Sequence, residues 1–423
     1  MIEHIFTLQT EIVIMPYRHI NYTLTRCTHA WRHALSSVAS LLPQGVSPDD
    51  LTALRTLPIF ALIVVIDNAT LAHSKHHPDE LMRLWADHEP HWTLAHVHND
   101  ADITLTIEPA KEAALLSDVS VFRYLLLPSH QSHISADKKD AAAHILDEQV
   151  TSYLRKKLLP TQEYSVQDID KALETLLNDD SAPLDIAVDT KAHIDCHIVS
   201  VSQMIRTHKL ACFDMDSTLI KQEVIVELAK MTGTGAQVDA ITESAMRGEI
   251  DFATSFRQRV ALLKDTPADI IDDIKPLLIP QAGAFATIKA LKALGYHTAL
   301  VSGGFVPFAH HVAKLLDIDE YHANELDIAD GVLTGEVTTP IIDGKQKAEI
   351  VKKIAKAQGI SLEETICIGD GANDLPMMAI SDLGIAYHAK PIVQARADAA
   401  VNVTGLEGVL YALGYSAFTP IKA

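Results

Sequence analysis

The sequence predicts an α/β fold: a parallel sheet with a helical insertion, preceded by an α+β segment. Three observations carry this expectation. From residue 209 onward, short apolar runs alternate with helical patterns, which calls for a parallel sheet covered on both faces. Between the first and second of these strands, residues 222–280 show apolar spacing that is helical throughout. Composition also shifts along the chain: 17 of the 22 histidines and all three tryptophans lie at or before His208. The border is expected at 185–208, giving an N-terminal α+β domain over 1–205 and a second domain over 206–423.

The first half reads as a strand at 58–66, a helix at 78–88 (HPDELMRLWADHE) and a strand pair at 92–98 and 101–108, parted by the turn signal Asn99-Asp100. Helical patterns follow at 136–158 and 165–178. His73, His76, His77, His96 and His98 cluster here, but no cysteine or carboxylate accompanies them at metal-site spacing, so they read as solvated loop and strand-edge residues. In the second half the expected strands are 209–214, 297–301, 320–322, 332–338, 365–369, 383–386 and 399–401. The helices between them are 283–294, 305–316, 345–358, 373–380 and 391–397. The segments VIVELAKMTG, VDAITESAMRG, FATSFRQRVALL and ADIIDDIKPLL read as a helical cap over the carboxyl edge of the sheet, where open α/β sheets bind ligands.

Lys plus Arg number 35 against 55 Asp plus Glu, a net charge of −20. That argues against a nucleic-acid or anionic-membrane partner, both of which need a basic footprint. The most apolar run, 57–66, is about half the ~20 residues that span a bilayer. Cysteines 27, 196, 212 and 367 lie far apart and read as thiols of a reducing compartment. No signal-peptide pattern opens the sequence, and a cytoplasmic protein is the expectation.

Four motifs each follow an expected strand. Asp214-Met215-Asp216-Ser217-Thr218 would set two carboxylates on one side of an extended chain, in need of a cation; alone, it also fits a solvated turn. Ser302-Gly303-Gly304, entering a helix, fits a phosphate cradle or an ordinary N-cap. Lys347 near a helix start is, alone, a solvent-exposed lysine. Gly369-Asp370-Gly371-Ala372-Asn373-Asp374 offers oxygen ligands at a strand-loop-helix junction, which suits magnesium.

Together and in this order, the four motifs resemble the haloacid dehalogenase superfamily of aspartate-nucleophile phosphatases, over about 209–415. DMDSTLIKQEVIVELAK, AMRGEIDFATSFRQRVALLK, SGGFVPF, NELDIADGVLTG and CIGDGANDLPMM narrow the resemblance to its phosphoserine phosphatase branch. The resemblance implies a Rossmann-like core, with Asp214 as nucleophile and Asp216 as acid and base. It implies Mg2+ held by Asp214, the Asp216 carbonyl and Asp370, with Asp374 behind them. Ser302, Gly303, Lys347 and Asn373 would hold the phosphoryl group or support its metal. In the cap, Glu223 would meet the substrate ammonium, Arg259 its carboxylate, and Met246 and Phe252 would exclude water. Phosphoserine is the implied substrate and a homodimer the implied assembly. Phosphohomoserine, phosphothreonine and other small phosphomonoesters remain alternatives, and a regulatory binding protein is a more distant one. The N-terminal half matches less: its β-α-β-β order is loosely compatible with a small ACT-type ligand-binding module, which makes it a candidate regulatory module.

Overall fold

A computed structural model describes residues 21–24, 28–42, 46–74, 76–89, 92–97, 103–106, 116–129, nine positions between 143 and 158, 194–247, 249–415 and 418–420. The strands of the first half are β1 (Asn21–Leu24), β2 (Phe60–Asp67), β3 (Trp92–His96), β4 (Ile103–Thr106), β5 (Val119–Pro128) and β6 (Ile194–Ser200). Four of them form an antiparallel sheet of order β3-β5-β2-β6. Helix α1 (Pro78–His88) links β2 to β3, and helical residues at 143–158 lie between β5 and β6. The chain order is therefore β-α-β-β-α-β, with the fourth strand beside the first and the third between first and second.

Helix α1 begins where Pro78 sits in the first turn and His77 accepts from the Asp79 amide. It buries Leu81, Met82 and Trp85 with Leu146, Val150, Leu154 and Leu158 against Phe60, Leu62, Val64 and Ile66. Each such side chain contributes roughly 1.5–3 kcal/mol. The opposite sheet face, with Ala61, Ile63, Val65, Leu125 and Val199, merges into the core of the second half. Strand β2 is therefore buried on both faces and reads as an unbroken apolar run, FALIVVI.

Two expectations fail in this half. The segments near 92–98 and 101–108 do not pair: β3 joins β5, whereas β4 joins β1 and β15 (Phe418–Pro420) in a separate sheet. A turn signal specifies a reversal, but the partner is chosen by which apolar face must be covered. Strands β5 and β6 and the helices Thr28–Ser37, Leu51–Thr56 and Asn68–His73 were not expected. The helical pattern at 165–178 lies outside the described residues. Of the histidines, His76, His77 and His96 face Glu80 or Asp79 at 3.2–3.7 Å, and no metal-holding group includes them among the described residues.

The second half is a six-stranded parallel sheet of order β14-β13-β12-β7-β8-β9. Its strands are β7 (Leu210–Phe213), β8 (His297–Phe305), β9 (Glu320–Asn324), β12 (Thr365–Gly369), β13 (Leu383–Tyr387) and β14 (Ala399–Val401). Alternate residues face two cores. Ala211, Phe213 and Leu300 point to one, Leu210, Cys212 and Val301 to the other. Helices α2 (Val224–Thr232), α3 (Gly235–Met246), α4 (Phe252–Ala261) and α5 (Ile270–Ile274) fill the insertion. Around the sheet run α6 (Ala284–Ala293), α7 (Val306–Leu316), α8 (Gly344–Gln358) and α9 (Leu375–Ile380). The expected strand at 332–338 shrinks to β11 (Val332–Leu333), which forms a two-stranded hairpin with β10 (Ile328–Ala329) outside the sheet and bridges Pro267 on its other side. Gly335 at φ +77 and the prolyl segment after it stop the extended run.

Candidate active site

The chain leaves β7 in one direction toward β8 and β9, then returns to lay β12 on the other side of β7. A crevice opens at such a reversal, at the carboxyl ends of the strands, and all four motifs converge there. Asp214 follows the last residue of β7, its amide still on the ladder through Ile368 O at 2.9 Å. Asp370 follows β12. The extended geometry expected through Asp216 ends early: Leu219 N and Ile220 N both return to Met215 O, so Asp216 sits in a tight turn. Ser217 adopts φ +58 there, held by its hydroxyl donating to Glu223 Oε1 at 2.8 Å. A left-handed serine costs about 1 kcal/mol or more and persists where the surroundings impose it.

Lys347 is fully buried, not solvent-exposed. Asp343 caps α8 through the Gln346 amide at 2.8 Å, and this places Lys347 one turn in, aimed at the crevice. Its ammonium lies 2.7 Å from Asp214 Oδ1 and 2.6 Å from Asp374 Oδ1. Burial alone would depress that ammonium, but the two carboxylates more than reverse it and raise its pKa. Met215 N also donates to Asp214 Oδ1 at 2.7 Å, so Oδ2 is the oxygen left for chemistry.

Oxygens of Asp214, Asp370 and Asp374 lie within 4.8 Å of one another. Burial and then Asp374 push the Asp214 carboxyl well above its usual range, and burial and Asp374 lift Asp370 to about 7. Three carboxylates thus cluster around one ammonium that pairs with only two of them, and the surplus charge with its hard oxygen donors fits a divalent cation. The Asp216 carboxylate is not in this trio. Burial, Glu223 and Asp214 hold its pKa well up, and its Oδ1 has no hydrogen-bond partner among the described residues.

Gly369 is needed for close approach: a β-carbon there would fall 2.4 Å from the Asp374 carboxylate. Asn373 stands half-buried in the same loop, its Oδ1 over Gly371. Ser302 and Gly303 lie inside β8 rather than at the helix start, because the strand continues to Phe305 and α7 begins at Val306. Ser302 is buried and accepts from Gly304 N at 2.8 Å.

From the insertion, Phe252 reaches to 3.2 Å of the point where a Gly303 β-carbon would be. It stacks on Phe256, and Phe256 on Phe305, at centroid distances of 6.1 and 5.5 Å. Arg259 projects toward Glu223 and Asp216; burial lowers its pKa and those two carboxylates oppose the shift. It bonds Ser255 O at 3.4 Å and makes no ion pair among the described residues. The Met246 side chain lies outside the described residues.

Two residues escaped the sequence reading. Thr218 donates to Asp370 Oδ1 at 3.0 Å and ties the β7 loop to the β12 loop. Asn324, buried at the end of β9, donates to Gly303 O and accepts from Ile342 N, both at 2.8 Å. It thereby joins the serine-glycine strand to the segment that leads into α8. Both stand in segments that carry the family resemblance, Thr218 in DMDST and Asn324 at the start of NELDIADGVLTG, but no role was read for either.

Residues 211–379 match the haloacid dehalogenase-like hydrolase family. A phosphoserine phosphatase of Mycobacterium tuberculosis is 44% identical over 235 residues, 55% of this chain and 58% of its own length. One from Methanocaldococcus jannaschii is 42% identical over 207 residues, 49% of this chain and 98% of its own. The crystal structure of a probable phosphoserine phosphatase from Vibrio cholerae superimposes with a TM-score of 0.53 at 23% identity, covering 93% of this chain and 94% of that one. That last likeness concerns the fold.

Proposed function

Because the chain belongs to the phosphoserine phosphatase family of haloacid dehalogenase-like hydrolases, we propose that it hydrolyses O-phospho-L-serine to serine and phosphate. The observation that carries the proposal is the buried Asp214, with one oxygen clamped by Lys347 and Met215 N and the other free, clustered with the carboxylates of Asp370 and Asp374.

In this reading Asp214 Oδ2 attacks phosphorus, and the bond from phosphorus to the serine oxygen breaks. Asp216, whose pKa burial, Glu223 and Asp214 raise, gives that oxygen a proton; it then takes one from the water that cleaves the aspartyl-phosphate. Lys347, Ser302 and the Gly303 amide hold the phosphoryl oxygens, since such transfers depend on positioning and charge stabilisation. Mg2+, held by Asp214, the Asp216 carbonyl and Asp370 with Asp374 and Asn373 behind them, would supply the positive charge that lets a carboxylate approach a phosphate. Asp374 stands behind this set, since its Oδ1 meets the Lys347 ammonium at 2.6 Å and its Oδ2 accepts from Gly371 N at 3.0 Å. Glu223 and Arg259 would take the substrate ammonium and carboxylate, a planar guanidinium suiting a carboxylate. Phe252 and Met246 would close the site.

We assign the substrate-turning role to 206–423 and a regulatory role to 1–205, supported by the β-α-β-β-α-β sheet. No described helix is long and apolar enough to cross a membrane. A homodimer and a cytoplasmic location complete the proposal. Hydrolysis by the full chain across phosphoserine, phosphothreonine, phosphohomoserine and sugar phosphates, with and without a chelator, tests it. The expected result is Mg2+-dependent preference for phosphoserine; equal turnover of sugar phosphates would refute the substrate assignment.

A further inference from the structure

The helical insertion joins the parallel-sheet half through two chain crossings. Lys221 N donates to Ile279 O and Gln281 N to Leu219 O, each at 2.9 Å, and Ile220 bridges Pro280 in antiparallel fashion. These crossings form a short two-stranded ribbon. Asp214 is 6% exposed and Lys347 not at all, and Phe252 of the insertion reaches over the neighbouring Gly303, so the setting of the ribbon bears on how the insertion covers the crevice.

The ribbon runs on into Ala282 and Gly283, and there it meets the segment 402–407. Leu406 N donates to Ala282 O at 2.7 Å. Gly283, at φ +73, caps α6, and a β-carbon on it would fall 1.8 Å from Glu407 Oε2. Glu407 is fully buried. Its Oε1 accepts from Ser117 N at 2.8 Å, and its Oε2 has no hydrogen-bond partner among the described residues. Ser117 also accepts from Gly405 N at 3.0 Å, and Asp195 of β6 accepts from Asn402 N and Val403 N at 2.8 Å. The segment is thus gripped by the N-terminal sheet on one side and by the end of the ribbon on the other.

A buried carboxylate with an unpartnered oxygen is costlier than an apolar side chain of its volume. What a carboxylate adds here is an acceptor for an amide of the N-terminal half, together with a negative charge over the positive end of α6. We propose that Glu407 is a positioning residue that couples docking of the N-terminal sheet to the setting of the insertion's ribbon.

The test is amide hydrogen exchange on the full chain. Ser117→Pro removes the donated N–H from outside the phosphatase half, so it serves as the control if Glu407→Ala folds poorly, and Ser117→Ala shows what loss of the hydroxyl that meets Gly405 N does by itself. Glu407→Ala and Ser117→Pro should both speed exchange of the Lys221 and Gln281 amides about tenfold and leave Phe213 and Ile368 in the sheet unaltered. Their combination should add nothing further, and Glu407→Gln, which retains an acceptor, should fall between. KM for the best phosphomonoester should rise more than kcat changes. Ribbon exchange unchanged in Ser117→Pro, or effects that add independently, would overturn the coupling. The exchange result does not depend on which phosphomonoester is turned over, so a failed substrate assignment would be told apart.

Discussion

The carboxyl edge of the parallel sheet and the seam between the two halves both bury carboxylates, but they close them differently. At the edge, Asp214 and Asp374 share the ammonium of Lys347 with Asp370 close by, and burial with mutual repulsion drives Asp214 and Asp370 upward. At the seam, Asp195 is met by two backbone amides and the Asn402 side chain, and Glu407 by the Ser117 amide. Charge answered by amides holds two surfaces together. Charge left over at a crevice prepares for a cation and an electrophile. The contrast separates a joint from a reaction centre without reference to any relative.

The largest effect expected from breaking this contrast is at Asp214. Asp214→Asn should lower kcat by about four orders of magnitude or more with the fold intact by circular dichroism, whereas Asp195→Asn should leave kcat near its original value. Residual turnover within tenfold would remove Asp214 from its assigned role. Next comes Arg259→Lys, which keeps the charge but loses the fork. KM for phosphoserine should rise about thirtyfold, and discrimination against phosphomonoesters lacking a carboxylate should narrow. An unchanged preference would place carboxylate recognition elsewhere. Asn324→Ala leaves Gly303 O and Ile342 N without their partner; each such bond is worth about 1 kcal/mol. A roughly tenfold fall in kcat/KM is expected, together with a lower melting temperature.

The smallest expected effect is in the acid stability of the whole chain. Burial lowers His197 to about 4, so the stability it contributes is present above its ordinary 6.5 and is lost as pH falls through 4. Burial raises Asp195 to about 6 against the opposing amides, so its contribution is present below 3.8 and is lost as pH rises through 6. The two sit two residues apart on β6, and their effects, each on the order of 3 kcal/mol, nearly cancel between pH 4 and 6.5. Denaturant unfolding should show a flat profile there. His197→Gln should make the chain relatively more stable toward acid, and Asp195→Asn less. A steep wild-type profile would mean that one of these groups is not buried as described.

The parallel strands were legible because each is covered on both faces and carries a short, bounded apolar run, as at Thr365–Gly369 and Ala399–Val401, where expectation and structure coincide. The N-terminal sheet was not. The run at Val119–Pro128 has no period that separates strand from buried helix, and β3 and β4 go to different sheets despite a turn signal between them. In the site, Asp214, Asp216, Lys347 and Asp370 were named from motifs. Asn324 opens the segment NELDIADGVLTG, but its role could not be read there, because it bridges two segments that are neighbours only after folding.

The residue types and order of the motifs determined the chemistry by themselves: carboxylates after apolar strands, a serine with glycines, a lysine near a helix start. They could do so because strand ends and helix starts are local features. Whether Lys347 is solvated or buried, which carboxylates share the cation site, and how Glu407 meets Gly283 and Ser117 were decided only by the tertiary structure. Those contacts join residues 27 to 290 positions apart, and no local propensity reports burial or proximity at such separations.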